Sequence, residues 1–549
     1  MTAKLHARRD RSYLSADTSV RLDERTVGAL LADRARTHGD VTALVGLAHD
    51  DGSQLRLTYR ELFEEACRVA TALARLAEPG DYVALWAPNV VEWPIIQYGA
   101  ALAGVILVAL NPALRRAELE YALQHCRPRV LIHADRSRNY DTAAVVSEVD
   151  TRSLGVRTIS LSTRAEWRSE AIDAAVIRGA PSDSEQPVML QYTSGTTGTP
   201  KGVLLRHRSL VNVARLTMEA AGIPAGAVTM NPLPMFHTGG CVTCTLGPLW
   251  IGGTEVLVER FEPTAVLTAM HREHVTVLFF VPTMLSALVA AQRDSADPAP
   301  RLSICLGGAS TVSAELIEAA ESTFGANVLK VFGQTELSPV LTVTRPGDNR
   351  ADRLGTVGRP LPQVDCKVVD PATGTVVPVG QPGEICARGY QQMIGYLHDP
   401  AATAATVDGD GFVHTGDLGV MDERGYLTLT GRLKELIIRG GENIAPAEVE
   451  ACVAEHEVVA EACAVGLPDD RLGEIVAVVV VAHRPLVPDT VDQLRAHARK
   501  HLTPHKVPQR WFAADELPKT PTGKVRRFAI RELIAQGSVR ELFREESRQ

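Results

Sequence analysis

The chain has 549 residues, of which 45% are hydrophobic and 22% charged, as in ordinary globular proteins. This length exceeds what a single core needs and predicts two to four domains. The 57 Lys and Arg residues against 65 Asp and Glu give a net charge of −8, which argues against a general polyanion-binding surface and against a nucleic-acid partner.

Cysteine usage and the apolar runs predict a cytoplasmic protein without a membrane span. The nine cysteines lack the spacing of a disulfide framework, which fits a reducing compartment. Cys241 and Cys244 form a CxxC near His237, but the sequence has no second pair, so an apolar segment is a better interpretation than a zinc site. The basic N-terminus is not followed by an apolar stretch, and the longest apolar runs, such as 475–482, are too short to span a bilayer.

The first part of the chain alternates strand and helix patterns. Thr58 and Glu61 predict a capping box before an amphipathic helix. Apolar runs at 82–86, 105–110 and 129–134 predict buried strands with helices between them. This β-α-β-α-β order predicts a mainly parallel sheet that is covered by helices.

The same alternation resumes after Pro187, with a helix from about His207. A ligand of such a sheet is expected at the carboxyl ends of its strands. Strands of this part are predicted at 188–191, 254–258, 275–281, 302–306 and 327–332.

Two smaller regions follow. Short strands and Gly/Pro turns at about 364–430 predict a β-rich subdomain at the end of an N-terminal domain, 1–431. Residues 437–549 alternate helix and strand patterns and are long enough for a small α+β domain. The predicted fold class is therefore α/β: a large N-terminal domain with helix-covered, mainly parallel sheets and the β-rich subdomain, followed by the small C-terminal α+β domain.

A glycine-rich loop with several hydroxyl residues and a lysine follows the strand at 188–191. Its glycines let backbone N–H groups converge on an anion, and the hydroxyls and the ammonium add donors and positive charge. The spacing differs from that of the GxxxxGK[ST] phosphate loop, and a flexible surface loop is the alternative interpretation. The candidate phosphate-binding residues are Thr193, Ser194, Gly195, Thr196, Thr197, Gly198 and Lys201.

A second candidate segment, Phe332-Gly333-Gln334-Thr335-Glu336, closes a predicted strand. At a sheet edge Phe332 can stack on a base, Thr335 can bind a phosphate and Glu336 can hold Mg²⁺. A strand-end turn with a solvated glutamate is the alternative.

Five segments together resemble the adenylate-forming superfamily, which includes acyl-CoA synthetases, adenylation domains of peptide synthetases, and luciferases. Their order matches that family from about Val27 to Ile530. The segments are Tyr192 to Lys201, Phe332 to Glu336, Thr415-Gly416-Asp417, Gly431-Arg432-Leu433-Lys434-Glu435, and Pro518-Lys519-Thr520-Pro521-Thr522-Gly523-Lys524.

The resemblance implies a site for ATP and Mg²⁺. Asp417 would accept hydrogen bonds from the ribose hydroxyls and Arg432 would donate to the ribose, which suits an acceptor-only and a donor-only group. Glu336 and Thr193 would hold the metal. Lys524 would be the adenylation lysine, which brings positive charge where a carboxylate attacks the α-phosphate. The ATP-binding set is completed by Gly308, Ala309, Phe332, Gly333 and Thr335.

The resemblance also implies coenzyme A as the thiol acceptor. Lys434 lies in the segment 432–436, where the family changes backbone angles to swing its small mobile domain. Gly440, Gly441 and Glu442 would line the pantetheine tunnel, and a tight turn between a strand and a helix is the alternative interpretation of these residues.

The acid is less constrained by the sequence than the reaction. His237 stands where many acyl- and aryl-CoA ligases place a histidine or aromatic gate beside the carboxylate. The expected pocket is mostly apolar, and no Arg or Lys faces an obvious second carboxylate, so a fatty, aryl or bulky alicyclic acid is predicted. The expected pocket residues are His237, Gly308, Gly333 and Pro339.

The leading hypothesis is an ATP-dependent acid–CoA ligase. The carboxylate and ATP would give an acyl-adenylate and pyrophosphate, after which CoA displaces AMP; Thr335, Glu336, His237 and Lys524 form the expected catalytic set. An acyl-AMP ligase that loads a carrier protein is one alternative, but the sequence shows no obvious example of the insertion that such enzymes typically carry. The end of the chain soon after Lys524 leaves no room for a carrier-protein domain, which favours a free-standing ligase that makes a CoA thioester. A non-catalytic nucleotide-binding protein is another, and a homodimer is left open.

Overall fold

The computed structural model describes residues 10–193, 200–439, 442–469, 471–486, 488–520 and 525–544. The chain divides into two units. The larger unit comprises Leu14–Cys366 and Ala387–His414, and the smaller one comprises Met1–Tyr13, Lys367–Cys386 and Thr415–Gln549. The domain limits at 431 and 437 stay predictions.

One sheet of the larger unit has seven strands, which are apolar because both faces are covered. In Tyr82–Trp86, Val83 packs into one hydrophobic cluster and Ala84 into another. The pairs from Pro187–Thr193 onward are parallel, while Lys201–Arg206 pairs antiparallel with Pro187–Thr193 and with the edge strand Gly395–Tyr396. The order is Gly395–Tyr396, Lys201–Arg206, Pro187–Thr193, Ile106–Leu110, Tyr82–Trp86, Val130–His133 and Arg157–Ser160.

The other large sheet of this unit has nine strands. Its central strands are parallel, so the carboxyl ends of Ile304–Gly308 and Asn327–Phe332 lie at the same edge. The order is Arg359–Pro360, Thr342–Val343, Asn327–Phe332, Ile304–Gly308, Val277–Phe280, Val228–Asn231, Thr254–Leu257, Thr42–Leu47 and Gln54–Thr58. A separate two-stranded pair joins Arg136–Ser137 to Tyr140–Asp141.

Helices connect these strands. The predicted capping box is present, because Glu61 N donates to the Thr58 side chain and Thr58 N donates to the Glu61 carboxylate. The helices of the larger unit are Val27–Thr37, Tyr59–Leu73, Glu92–Ala103, Arg116–Cys126, Thr142–Glu148, Arg164–Trp167, Ala174–Arg178, His207–Ala220, Cys244–Ile251, Pro263–Arg272, Pro282–Arg293, Ala314–Phe324, Arg350–Gly355 and Pro400–Thr406, with a π-helix at Gly239–Thr243 and a 3₁₀ turn at Thr335–Leu337.

The smaller unit contains a six-stranded sheet with a core on each face. Along Gly473–Ala482, Val478 belongs to one core and Val479 to the other, which explains the continuous apolar run. The strands of this sheet are Glu442–Ile444, Ile437–Arg439, Gly473–Ala482, Arg510–Ala513 and Arg540–Arg544, with Val459–Asp469 also paired to Gly473–Ala482. The helical segments are Leu433–Glu435, Pro446–Ala454, Pro488–His501 and Arg527–Ala535.

A five-stranded sheet, most of whose residues fall in the smaller unit, occupies the predicted β-rich region. Its order is Tyr13–Leu14, Val364–Val369, Gly383–Gly389, Val413–Met421 and Leu427–Arg432. The predicted α/β class, with mainly parallel sheets and an α+β C-terminal part, is confirmed. No helix in the part of the chain that the structure describes is both long and apolar enough to cross a membrane.

Candidate active site

The glycine-rich loop is closed by a hairpin. The strands Pro187–Thr193 and Lys201–Arg206 pair antiparallel, with Thr193 opposite Lys201. Both ends of the predicted phosphate loop are therefore held by backbone hydrogen bonds in the seven-stranded sheet. Five of the predicted phosphate-binding residues lie outside the described residues, namely Ser194, Gly195, Thr196, Thr197 and Gly198.

Tyr396 contacts both Lys201, a predicted ATP-binding residue, and Glu336, a predicted metal ligand. The Lys201 ammonium lies 4.6 Å from the centroid of the Tyr396 ring, a cation–π contact. The Tyr396 hydroxyl donates to Glu336 Oε1 at 2.8 Å. Burial and the nearby Glu336 carboxylate raise the pKa of Tyr396, so its hydroxyl keeps the proton that it donates. A cation of the loop and the candidate Mg²⁺ carboxylate are thus fixed by one side chain.

The helix Arg116–Cys126 supports the loop from outside the hairpin. The Tyr121 hydroxyl donates to the carbonyl of Pro200, next to Lys201 at the end of the loop, at 2.9 Å. The Tyr192 hydroxyl, just before the loop, lies 3.0 Å from His125 Nδ1. The His125 ring stacks on Tyr121 at 5.6 Å between centroids. One helix therefore braces both ends of the loop.

The glycines at the strand ends are required by close packing. Gly308 ends its strand opposite Val331, and a Cβ at Gly308 would overlap the Val331 carbonyl oxygen. A Cβ at Gly333 would overlap the Pro339 carbonyl oxygen, so Gly333 and Pro339 are neighbours. Ala309 has a φ of +70°, a left-handed conformation that costs a non-glycine residue about 1 kcal/mol or more. Thr335 and Glu336 then form a 3₁₀ turn directly after the strand.

His237 lies in a segment that we call the gate segment, residues 233–240. The carbonyl of His237 accepts from Cys241 N at 3.0 Å, at the entry to the π-helix Gly239–Thr243. π-Helical turns occur frequently at functional sites. The His237 ring packs against Phe236 at 5.4 Å between centroids, and burial lowers the pKa of its imidazole, which is therefore neutral at neutral pH.

Asn231 and Asn89 hold the backbone of the gate segment. Asn231 Oδ1 accepts from Leu233 N at 3.1 Å, and Asn231 Nδ2 donates to Glu255 Oε1 at 2.7 Å. Asn89 accepts from Met235 N at 2.9 Å and donates to the Leu233 carbonyl at 2.8 Å. The conformation of the gate segment is therefore set by amide side chains beneath it.

Glu255 is a buried carboxyl in this network, 3% exposed. The Thr245 hydroxyl lies 2.9 Å from Glu255 Oε1 and 3.0 Å from the carbonyl of Gly240, the last residue of the gate segment. Burial raises the pKa of Glu255 to about 7, against the lowering effect of the Asn231 and Thr245 hydrogen bonds. Glu255 is a residue that the sequence analysis missed, since an isolated glutamate in an apolar strand carries no motif.

Asp417 and Arg432, the predicted ribose-binding residues, face each other in the smaller unit. They are paired across the strands Val413–Met421 and Leu427–Arg432. Arg432 Nε donates to Asp417 Oδ1 at 2.5 Å, and the carboxylate is 5% exposed. The pair fixes the orientation of the carboxylate before any ligand is bound.

The predicted hinge and tunnel residues are only partly described. Lys434 is exposed in the 3₁₀ turn Leu433–Glu435, and Glu442 pairs with Arg439 across a short hairpin. Gly440, Gly441 and Lys524 lie outside the described residues. Their roles stay predictions.

Comparison with known proteins decides the family. A model of the AMP-binding enzyme family matches residues 31–397, and a model of the AMP-binding enzyme C-terminal domain matches residues 448–524. The chain belongs to the AMP-binding enzyme family. The resemblance seen in the sequence is confirmed.

Similar proteins place the chain in the acyl-CoA synthetase branch. The 3-[(3aS,4S,7aS)-7a-methyl-1,5-dioxo-octahydro-1H-inden-4-yl]propanoyl:CoA ligase of Rhodococcus jostii (strain RHA1) is 33% identical over 528 residues, 92% of this chain and 98% of the relative. The mitochondrial medium-chain acyl-CoA ligase ACSF2 of Homo sapiens is 32% identical over 556 residues, 95% of this chain and 89% of the relative. The structure of the o-succinylbenzoate CoA synthetase MenE from Bacillus subtilis with the acyl-adenylate OSB-AMP is similar with a TM-score of 0.78 and 28% identity, over 93% of this chain and 99% of that one.

This AMP-binding enzyme is thus an ATP-dependent acid–CoA ligase. The family uses ATP and coenzyme A as co-substrates and Mg²⁺ as metal cofactor. The predicted residues that the structure brings together are Lys201 with Glu336, Gly308 with the strand of Phe332, and Gly333 with Pro339. Tyr396 was missed because it lies outside the five segments of the resemblance.

The link through Tyr396 can be tested by removing the hydroxyl alone. In Tyr396→Phe the ring beneath Lys201 remains, but Glu336 loses its donor. Because a hydrogen bond to a charged group is worth about 1.5–3 kcal/mol, we expect kcat/KM for MgATP to fall roughly tenfold or more. Steady-state kinetics with ATP as the varied substrate measure this. Tyr396→Leu, which also removes the cation–π contact, should lose more; wild-type kinetics in Tyr396→Phe would contradict the link.

The buried carboxyl of Glu255 predicts a pH dependence of stability. Because its folded pKa is raised to about 7, the folded state keeps a proton that the unfolded chain has released, so its contribution to stability is present below about pH 4.5 and lost as the pH rises to about 7. A difference of about 2.5 pKa units corresponds to about 3 kcal/mol. The melting temperature of wild type relative to Glu255→Gln should fall over this pH range and then stay constant.

The other titratable groups facing Glu255 do not change their protonation in this pH range. Burial raises the pKa of Tyr59, Tyr98, Cys241 and Cys244, so all four stay protonated through neutral pH. Differential scanning fluorimetry at several pH values measures the effect. A constant difference between wild type and Glu255→Gln from about pH 5 to about pH 8 would show that Glu255 is not the titrating group.

Proposed function

We propose that this ligase activates a hydrophobic carboxylic acid, with the loop hairpin, Glu336 and Lys524 carrying the adenylation step. The main support is the contact of Tyr396 with both Lys201 and Glu336. A magnesium-bound polyphosphate requires a cation and a carboxylate close together. The Lys201 ammonium would balance the anionic phosphate oxygens, and the Glu336 carboxylate would bind the metal.

Glu336 and Thr193 are the proposed Mg²⁺ ligands. Both offer oxygen atoms, which this hard cation prefers, and Thr193 lies at the base of the hairpin opposite Lys201. The Glu336 carboxylate already accepts one hydrogen bond, from Tyr396, and keeps further lone pairs. Bound Mg²⁺ would neutralise part of the phosphate charge. The loop hydroxyls and Lys201 would hold the pyrophosphate that leaves.

In the proposed first step a carboxylate oxygen of the acid forms a bond to the α-phosphorus of ATP. The bond from that phosphorus to the bridging oxygen breaks, and pyrophosphate leaves with the bonding electrons. Lys524 would offset the negative charge that accumulates as the two anions meet. Asp417 would accept from the ribose hydroxyls, and Arg432 would orient the Asp417 carboxylate while donating to the ribose.

In the proposed second step the CoA thiolate attacks the acyl carbon of the adenylate and AMP leaves. Lys434 is the proposed hinge residue, and Gly440, Gly441 and Glu442 the proposed tunnel residues, on the strength of the resemblance alone. Both relatives compared above are named CoA ligases, which favours CoA over a carrier protein as the acceptor.

The gate segment supports a hydrophobic acid. It leads into Gly239–Thr243 and Cys244–Ile251, whose residues are almost all apolar or small and buried. His237 would present a neutral imidazole to the acid. The relatives' names include a medium-chain acid and an alicyclic propanoic acid, which agrees with an apolar pocket.

Cytoplasmic localisation and a homodimer stay predictions.

A panel of acids tests this proposal. Medium-chain, aryl and alicyclic monocarboxylic acids, each with a dicarboxylic analogue of similar size, are assayed for AMP formation with ATP and CoA. Because a second carboxylate would be buried without a cation, we expect at least about a hundredfold lower kcat/KM for the dicarboxylic acids. In His237→Ala the KM for the preferred acid should rise while the KM for ATP stays the same.

Two results would contradict the proposal. Preference for dicarboxylic acids would show that the pocket contains a cation. An unchanged KM for every acid in His237→Ala would show that the gate segment does not line the acyl pocket.

A further inference from the structure

A thiol and two imidazoles converge in the smaller unit, on two helices to which the adenylation reaction assigns no ligand. Cys452 lies on Pro446–Ala454, and His497 and His501 lie on Pro488–His501, which packs against it. One candidate ligand atom from each of the three residues lies within 4.8 Å of the other two. We call these three residues the cysteine–histidine cluster.

The helix geometry presents the two imidazoles together. Residues four apart on a helix lie on the same face, and the ring centroids of His497 and His501 are 4.3 Å apart. His456, after the end of the facing helix, has its ring centroid 5.8 Å from that of His497. A pair of histidines at this spacing is a recurrent metal-binding arrangement, because both rings can reach one ion.

The hydrogen bonds of the two rings leave one nitrogen of each available. His497 Nε2 donates to the Cys452 carbonyl at 3.0 Å, and His501 Nδ1 donates to the His497 carbonyl at 3.0 Å. The remaining nitrogens, His497 Nδ1 and His501 Nε2, make no hydrogen bond to the described residues. In metal sites, ligating histidines donate their other ring N–H to a carbonyl or carboxylate in this way, which fixes the tautomer.

The surroundings of the cluster combine a buried donor with access from solvent. Cys452 is 7% exposed and the His497 side chain 21% exposed, while His501 is exposed at the surface. The Glu455 carboxylate lies 3.7 Å from His497 Nε2 and adds negative charge beside the cluster. An ion can therefore enter past His501 and meet the thiol on the inner side.

We propose that Cys452, His497 and His501 bind one divalent transition-metal ion, with Zn²⁺ as the ion that best fits the donors. One sulfur and two nitrogen ligands with water in the fourth position make a tetrahedral site. Bonds of about 2.3 Å to sulfur and about 2.0 Å to nitrogen place the ligand atoms about 3.5 Å apart, so the three side chains, whose ligand atoms lie within 4.8 Å of one another, would move closer together when the ion binds. Binding breaks the S–H bond of Cys452, forms the S–Zn bond and releases the proton to solvent.

The bound ion would link the helix Pro446–Ala454 to the helix Pro488–His501. Since the ligands are together only in the folded state, the metal stabilises that state by mass action. This role is independent of adenylation, which uses Mg²⁺ with oxygen ligands, and the softer sulfur and nitrogen donors select a different metal.

Cobalt substitution tests the site directly. The full chain, freed of metal with a chelator, is titrated with Co²⁺ as a spectroscopic substitute for Zn²⁺. We expect one Co²⁺ per chain with a thiolate-to-cobalt charge-transfer band in the near ultraviolet, which added Zn²⁺ removes. Co²⁺ bound at the oxygen ligands of the Mg²⁺ site gives no such band, so the two sites are distinguished.

Matched variants show which residues bind the metal ion. Cys452→Ser should abolish the charge-transfer band, whereas Cys463→Ser, which removes another buried thiol of the same unit, should keep it. His501→Ala alters an exposed side chain and should weaken Zn²⁺ binding at least about tenfold, as measured by competition with a chromophoric chelator. His271→Ala, an exposed histidine of the larger unit, is its control. Absence of the band in wild type, its persistence in Cys452→Ser, or unchanged Zn²⁺ affinity in His501→Ala would each overturn the proposal.

Discussion

Repulsion between like charges is the constraint that this ligase has to meet, because adenylation brings a carboxylate to an anionic phosphate. We propose that Lys201 and a Mg²⁺ ion held by Glu336 offset this repulsion. The Lys201 ammonium rests on the ring of Tyr396 and the Glu336 carboxylate accepts from its hydroxyl, so one side chain supports both residues. An aromatic side chain loses less entropy on ordering than a long charged one, and this makes the half-buried Tyr396 a more rigid link than a long charged side chain would be.

The scaffold serves this arrangement by fixing loops at their ends. The ends of the proposed phosphate loop are held by the paired strands Pro187–Thr193 and Lys201–Arg206 and by the helix Arg116–Cys126. The gate segment is held in the same way by Asn231 and Asn89. In both places, side chains outside the functional segment supply the hydrogen bonds to it or to its ends.

Much of the fold and part of the candidate site were predictable from local sequence. The strand Tyr82–Trp86 was predicted with the bounds that it has, because an apolar run between turn residues leaves few alternatives. The antiparallel strand Lys201–Arg206 and the π-helix Gly239–Thr243 were missed although their partners are close in the chain, because neither carries a distinct sequence pattern. Tyr396 and Glu255 were missed because each acquires its role from residues elsewhere in the chain. The spacing of His497 and His501 is visible in the sequence, but their approach to Cys452 is set by helix packing.

The central claim is that the acid is adenylated before CoA takes part, and acid-dependent exchange of labelled pyrophosphate into ATP tests it most directly. In the absence of CoA, wild type should catalyse exchange only when the acid is present. Lys524→Ala should lower that exchange by at least about a hundredfold, because the cation offsets charge in the adenylation step. The control Lys519→Ala, whose ammonium pairs with Glu461, should retain it. Exchange that requires CoA, or full exchange in Lys524→Ala, would contradict the account.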